Sequence, residues 1–258
     1  NFRESGIDSS FRLADDSETL LIKEEVLDDV LEKWYEKKDP HFHNLVETYG
    51  STKTDDGLKK VILELHSFIQ SFPYPFDWLD EQKKLLNPAR YSDFGETIWG
   101  KEALDYLEIT LDRLLSEAKR AKALAEEFGI SGYCETLAKD VEMLEAFCSM
   151  CSNAKWEETF DALNSVSFAR LGRVGKEDDK DKAELIKSIR NMIKDALSPL
   201  LNDIFGGSKE AAMEDMAVMY RDIKRLVWLV KYFHLKFQKA KQERKVIDFS
   251  DMEHMALN

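Results

Sequence analysis

The chain has 258 residues, 43% of them hydrophobic and 34% charged, with 37 basic side chains against 50 acidic ones. The resulting net charge of −13 excludes a protein that wraps nucleic acid or an anionic membrane with its whole surface, and no apolar run approaches the roughly eighteen residues of a membrane span. Three cysteines, an odd number without a secretory leader, argue for a reducing, cytoplasmic setting rather than a disulfide scaffold.

A chain of this length can bury roughly 70% of its unfolded surface. Only eleven glycines and five prolines interrupt it, which favours helices joined by short loops. The stretch through Asp15 reads as an extended lead-in. From Asp16 or Ser17, Leu20, Leu21, Val26, Leu27, Val30, Leu31, Trp34 and Tyr35 recur at helical spacing, with Glu24, Glu25, Asp28, Asp29 and Glu32 forming an acidic outer face. Pro40 and Gly50 bracket a short helix at His41 to Tyr49. Asp55 or Asp56 then caps a helix carrying Leu58, Val61, Ile62, Leu65, Phe68, Ile69 and Phe72, which Pro73 and Pro75 stop. One more short helix fits Asp77 to Leu86, and Asn87, Pro88 and Ala89 mark a subdomain boundary.

From Asp93 to Phe128 the pattern is again helical, irregular at Gly95 and Gly100, and Gly129 ends it. Ser131 opens a second long helix through Cys151. A loop this short makes the two an antiparallel helical hairpin. A helix from Ala154 to Val166 precedes a charged, glycine-bearing loop at Arg170 to Lys182, the segment expected to be most mobile. A helix from Lys182 to Phe205, which tolerates or kinks at Pro199, then ends at Gly206 and Gly207. From Ser208 to about Arg244 there is neither proline nor glycine, which predicts one helix of roughly 55 Å, long enough to span two lobes or to project. No strand of convincing alternation and no internal repeat are visible, so the expected class is all-α.

Chemistry-bearing motifs are scarce. There is no glycine-rich phosphate loop, no metalloprotease helix motif and no nucleophile elbow, so no catalytic, cofactor or metal residues are assigned. Cys148 and Cys151 sit on an apolar stripe without a second pair to complete a zinc site, and read as a buried structural pair. His41 and His43 diverge on a helix and read as surface residues. The acids from Glu177 to Asp181 lack the glycine and terminal glutamate of a calcium loop.

The last helix is different. Between Arg221 and Lys245 there are nine basic residues against two acidic ones, interleaved with Trp228, Tyr232, Phe233 and Phe237. Basic charge gives affinity for phosphates, and aromatic rings stack on bases. Arg225, Lys231, Lys236, Lys239, Lys241 and Arg244 are the candidate DNA-contacting residues, although a core stripe with a solvated lysine face explains the same pattern. After it, Ser250 and Glu253 have capping-box spacing, so a helix starting at Ser250 is expected. Asp248 and Asp251 suggest a metal pair, but acids at a helix start are already explained by capping and the helix dipole. A first residue other than methionine and a motif that opens a new helix lead us to expect part of a longer polypeptide.

These residues resemble one family: the A subunit of bacterial AddAB-type helicase-nucleases, also called RexAB, related to RecB and to UvrD-like superfamily 1 helicases. The resemblance rests on Ile7 to Asp15 (IDSSFRLAD) followed by Leu20 to Leu27, on Gly57 to Ile62, on Phe76-Asp77-Trp78-Leu79, and above all on Ile247 to His254 (IDFSDMEH), which is similar to the family's D-F-x-D-L signature. It covers both ends and the first third well, and Tyr91 to Gly207 only by length and helicity. It implies a helical 1B-type insertion of the first motor domain, with residues 1–90 its N-terminal helical part, 91–246 its long-helix part and 247–258 the return towards an ATPase lobe. It further implies a parent that moves 3′ to 5′ along DNA using ATP and Mg²⁺, carries a distant nuclease, acts in double-strand break repair and recombination, and pairs with an AddB/RexB-type subunit. None of the parent's catalytic motifs falls within these residues. The alternative is a helical protein-interaction module, in which the acidic helix around Glu24 to Glu32 and the long helix dock a partner subunit.

Overall fold

The computed structural model describes residues 10–50, 54–151 and 155–257, the side chains of Cys151, Leu201 and Leu257 excepted. The protein is all-α: ten α-helices and one minimal two-stranded sheet occur among the described residues. It divides into two compact units, residues 1–88 with 216–258, and residues 89–215.

The first unit begins with a two-residue strand β1, Arg12–Leu13, then α1, Asp16–Lys37, α2, Pro40–Tyr49, α3, Asp56–Ile69, and α4, Pro75–Leu85. Capping sets the starts. The Asp15 carboxylate accepts from Glu18 N at 2.8 Å, and Asp39 accepts from Phe42 N at 2.9 Å with Pro40 in the first turn, where its missing N–H costs nothing. The expected helix through Phe72 stops three residues early, at Ile69, and is followed by turns in which Ser71 N donates to Phe68 O and Phe72 N to Ile69 O, with Phe72 stacked on Trp78. The apolar faces of these helices close on the latter part of α9, Lys209–Arg244: Ile22, Leu27, Leu31, Phe42, Leu58 and Ile62 share one core with Leu229, Val230, Phe233 and Phe237.

After α9, strand β2, Val246–Ile247, pairs in parallel with β1, Arg12 opposite Val246 and Leu13 opposite Ile247. Arg12 N donates to Lys245 O and Ala14 N to Ile247 O. This sheet lies outside the expectation of helices alone, because two residues are too few for alternation to show. Ile7, Asp8 and Ser9 of the lead-in lie outside the described residues. The chain then closes with α10, Phe249–Leu257.

The second unit is built on α5, Ile98–Glu127, and α6, Ser131–Cys151, the expected hairpin. Gly129 takes a left-handed φ of 72°, and Ile130 N reaches back to Ala125 O at 2.9 Å, which ends α5 and reverses the chain. Fully buried Ala118, Ala121 and Ala125 keep this part of α5 thin where it packs into the core. Next come α7, Trp156–Ser165, and α8, Lys180–Pro199. Pro199 cannot donate to the preceding turn, and from there the helix gives way to a π-helical turn at Leu200–Ile204. The Arg190 guanidinium, buried with Asp140, binds that carboxylate through Nε at 2.5 Å and Nη2 at 3.1 Å, and also donates to Ala169 O at 2.7 Å. Gly172 and Gly132 meet backbone to backbone, so close that a Cβ on Gly132 would collide with Arg173 O. The front of the charged loop is thus fastened to α6.

Candidate functional site

The four aromatic residues in the basic stretch of α9, Trp228, Tyr232, Phe233 and Phe237, fall on two different faces. Phe233 and Phe237 are core, stacked on one another with centroids 5.8 Å apart and capped by the His66 ring. Trp228 and Tyr232, four residues apart, stack at 4.7 Å and 22° on the outer side, where Trp228 is 39% exposed. Lys236, one turn further, lies over the Tyr232 ring at 5.2 Å, and Trp34 braces Trp228 edge-on at 4.7 Å. Two cations from other turns complete the cluster: Lys37 lies 4.2 Å from the Trp34 ring, and the Arg225 guanidinium 4.6 Å from it. The i, i+4, i+8 spacing of Trp228, Tyr232 and Lys236 makes one continuous stripe along the helix. Flat, partly exposed rings bordered by cations are what stacking on nucleobases requires.

The six basic candidates are placed unequally. Lys236 borders the stripe, and Lys239 is the most open, paired with Glu243 at 3.6 Å one turn on. Arg225 is bidentate on Asp39, Lys231 binds Asp80 at 2.7 Å, and Arg244 binds Glu25 at 2.7 Å. Lys241 is buried. Exposed Lys224 and Arg221, in the turns before Trp228, form no ion pair among the described residues and extend the positive edge.

Lys241 organises the return motif. Its ammonium binds Asp248 Oδ2 at 2.8 Å and Asp251 Oδ2 at 2.6 Å with only 3% of its side chain exposed, and it lies 4.4 Å from the Phe237 ring. The two carboxylates also cap α10 reciprocally: Asp251 N donates to Asp248 Oδ1 at 2.9 Å, and Asp248 N to Asp251 Oδ2 at 3.0 Å. The capping box is therefore Asp248-x-x-Asp251, two residues earlier than the expected Ser250-x-x-Glu253, and α10 starts at Phe249. Gln238 Nε2 takes the remaining Asp251 Oδ1 at 2.9 Å. Burial pushes the Asp248 carboxyl up, but the hydrogen bond and charge of Lys241 with the Asp251 N–H outweigh it and hold the group below the usual carboxylate range.

This pair does not fit a magnesium ion, since a cation would have to displace an ammonium already bound to both carboxylates. Among the described residues no set of three His, Cys, Asp or Glu is arranged to hold a metal. Cys148 is half-buried, with its thiol pushed up by burial, and the Cys151 side chain lies outside the described residues.

Sequence reasoning missed a buried histidine pair. His66 Nε2 lies 3.0 Å from His234 Nδ1, and burial, with the other histidine and Lys23 adding to it, lowers His66 to about 3. His234 is lowered to about 4, by burial first and Lys241 next. Both rings are neutral near pH 7. The available signal was their place on two apolar stripes, which marked core positions without revealing that they meet.

No protein-family model matches the chain. Matches to curated proteins cover all of it. A protein of Acetivibrio thermocellus, named as the A subunit of an ATP-dependent helicase/nuclease, is 34% identical over 261 residues, and proteins of Lachnoclostridium phytofermentans and Syntrophomonas wolfei with the same name are each 34% identical. The chain spans 21%, 19% and 21% of these relatives' lengths. Over its entire length, the chain is homologous to a segment making up about one-fifth of the A subunits of the ATP-dependent helicase/nuclease family.

Proposed function

We propose that the chain is a non-catalytic helical segment of an ATP-dependent 3′–5′ DNA helicase and nuclease of double-strand break repair and recombination, and that it lies along the DNA path. The observation that carries the reading is the Trp228, Tyr232 and Lys236 stripe: in a chain of net charge −13, cations and partly exposed rings are segregated onto one helix. Homology over the full length to proteins named for helicase and nuclease activity supports it. On this reading Lys236 and Lys239 meet phosphates directly, and Arg225, Lys231 and Arg244 exchange their carboxylate partners for phosphate at the edges. Lys241 contributes by fixing the return motif. ATP and Mg²⁺ engage the parent protein through parts outside these residues, and an AddB/RexB-type subunit is the parent's partner.

The test is a titration of fluorescent forked DNA at several salt concentrations. The wild-type chain binds weakly, with an affinity that falls as salt rises, and Lys236→Glu with Lys239→Glu lowers it by about tenfold. Equal affinity of wild type and the double variant overturns the assignment. ATP hydrolysis by the purified chain contradicts the non-catalytic reading.

A further inference from the structure

Between α7 and α8 the residues Phe168 to Lys176 read as three triplets, each an apolar, a small and a basic residue: Phe168-Ala169-Arg170, Leu171-Gly172-Arg173 and Val174-Gly175-Lys176. Their environments follow their place in the triplet. Phe168, Leu171 and Val174 pack against the core of the second unit, whereas Arg170, Arg173 and Lys176 are exposed. The segment belongs to no helix or strand, and neither Gly172 nor Gly175 takes a left-handed φ. A chain that turns every third residue inward is extended with about three residues per turn, at roughly 3.1 Å per residue. Its cations therefore stand about 9 Å apart and span about 19 Å.

This ladder is fastened along its length. Arg190 Nη2 donates to Ala169 O at 2.7 Å, the backbone of Gly172 meets that of Gly132, and Gly175 N donates to Asp178 Oδ2 at 2.6 Å. A turn in which Asp178 N donates to Gly175 O ends the ladder at Lys176. Arg170, Arg173 and Lys176 join no ion pair among the described residues. Carboxylates on the elements packed beside the segment are engaged elsewhere: Asp140 with Arg190, Glu135 with Lys139, Glu184 with Lys187, and Asp179 in capping α8. The exposed acids Glu177 and Asp181 come only after the last rung. None of the large apolar residues of the segment is exposed. Docking of a protein centres on apolar and aromatic anchors, whereas a polyanion needs only cations at intervals.

We propose that Arg170, Arg173 and Lys176 bind the phosphate backbone of a DNA strand without reading its bases. At about 3.4 Å of rise per nucleotide, the ladder spans about five phosphates. The choice of DNA as the polyanion rests on the reading that the chain lies along the DNA path, but none of the α9 residues takes part.

The test is an NMR titration of the isotope-labelled chain with an abasic deoxyribose phosphodiester about ten units long, which offers phosphates and no bases, and with an oligoglutamate of equal charge. Shifts at residues 168–176 that persist in Lys236→Glu with Lys239→Glu, together with an oligoglutamate affinity at least about tenfold weaker, support the proposal. Arg170→Ala with Arg173→Ala, surface changes whose circular dichroism should match wild type, lowers affinity at these residues about tenfold. It also flattens the slope of log affinity against log salt by about 1.4, at about 0.7 per lost contact. Arg170→Lys with Arg173→Lys keeps the slope. Absence of shifts at 168–176, unchanged affinity of the alanine variant, or a lysine variant as weak as the alanine one overturns the proposal. Equal binding of oligoglutamate at these residues also overturns it, making an acidic protein the partner. Shifts confined to α9 overturn it and leave the earlier reading intact, whereas shifts confined to residues 168–176 support it and count against the α9 stripe.

Discussion

Lys241 shows how a residue type misleads when its surroundings are unknown. In the sequence it is one more lysine on a basic helix, yet its ammonium is enclosed between Asp248 and Asp251. Removing it leaves two buried carboxylates without a cation, so Lys241→Ala should destabilise the first unit by about 3–5 kcal/mol, measured by urea unfolding. Lys239→Ala, on the open surface, should change stability by no more than about 0.5 kcal/mol. The pH dependence follows from the histidines first. His66 and His234 are held neutral with pKa values of about 3 and 4, below the ordinary 6.5, so the unfolded chain takes up protons that the folded one refuses. Stability is therefore full above pH 6.5 and declines as the pH falls towards 4. Asp248, whose pKa is depressed, adds a further loss only below the ordinary carboxylate range. His66→Gln should flatten the slope between pH 6.5 and 4 by about one proton, and an unchanged slope would contradict the buried pair.

At the scale of elements, most of the helices were legible, because apolar periodicity, capping aspartates and glycine stops are local signals. The α5–α6 hairpin needed only Gly129 and two long stripes. What failed was also local but ambiguous. Both Asp248-x-x-Asp251 and Ser250-x-x-Glu253 have capping spacing, and only the burial of Lys241 decides between them. Asp251→Ala should cost about 3 kcal/mol and Glu253→Ala no more than about 0.5, in the same unfolding assay. Equal effects would return the cap to Ser250. The fastening of the charged loop was invisible for another reason: a glycine's close approach to a distant backbone leaves no mark in its neighbours. Gly132→Ala, whose Cβ would meet Arg173 O, should cost about 1–3 kcal/mol, read as a lowered melting temperature.

For the whole molecule, the links that close the first unit join residues far apart in the chain: Arg225 to Asp39, Lys231 to Asp80, and β1 to β2. Periodicity identifies each helix but not its neighbour, which is why the core formed by residues 216–258 with the N-terminal helices was not readable from composition. The same limitation left Trp228, Tyr232, Phe233 and Phe237 undivided between core and surface, whereas the two phenylalanines fill the core and the other two face outward. That separation carries the functional account, in which an outward stripe on one helix meets DNA while the core of the unit holds the helix in place. The most direct measurement is photo-crosslinking of a single-stranded oligonucleotide carrying 4-thiothymidine to the chain, with the linked residues identified by mass spectrometry. The account predicts crosslinks at Trp228 and Tyr232 that weaken with salt and disappear in Trp228→Ala with Tyr232→Ala. Crosslinks confined to other elements, or undiminished in that variant, would contradict it.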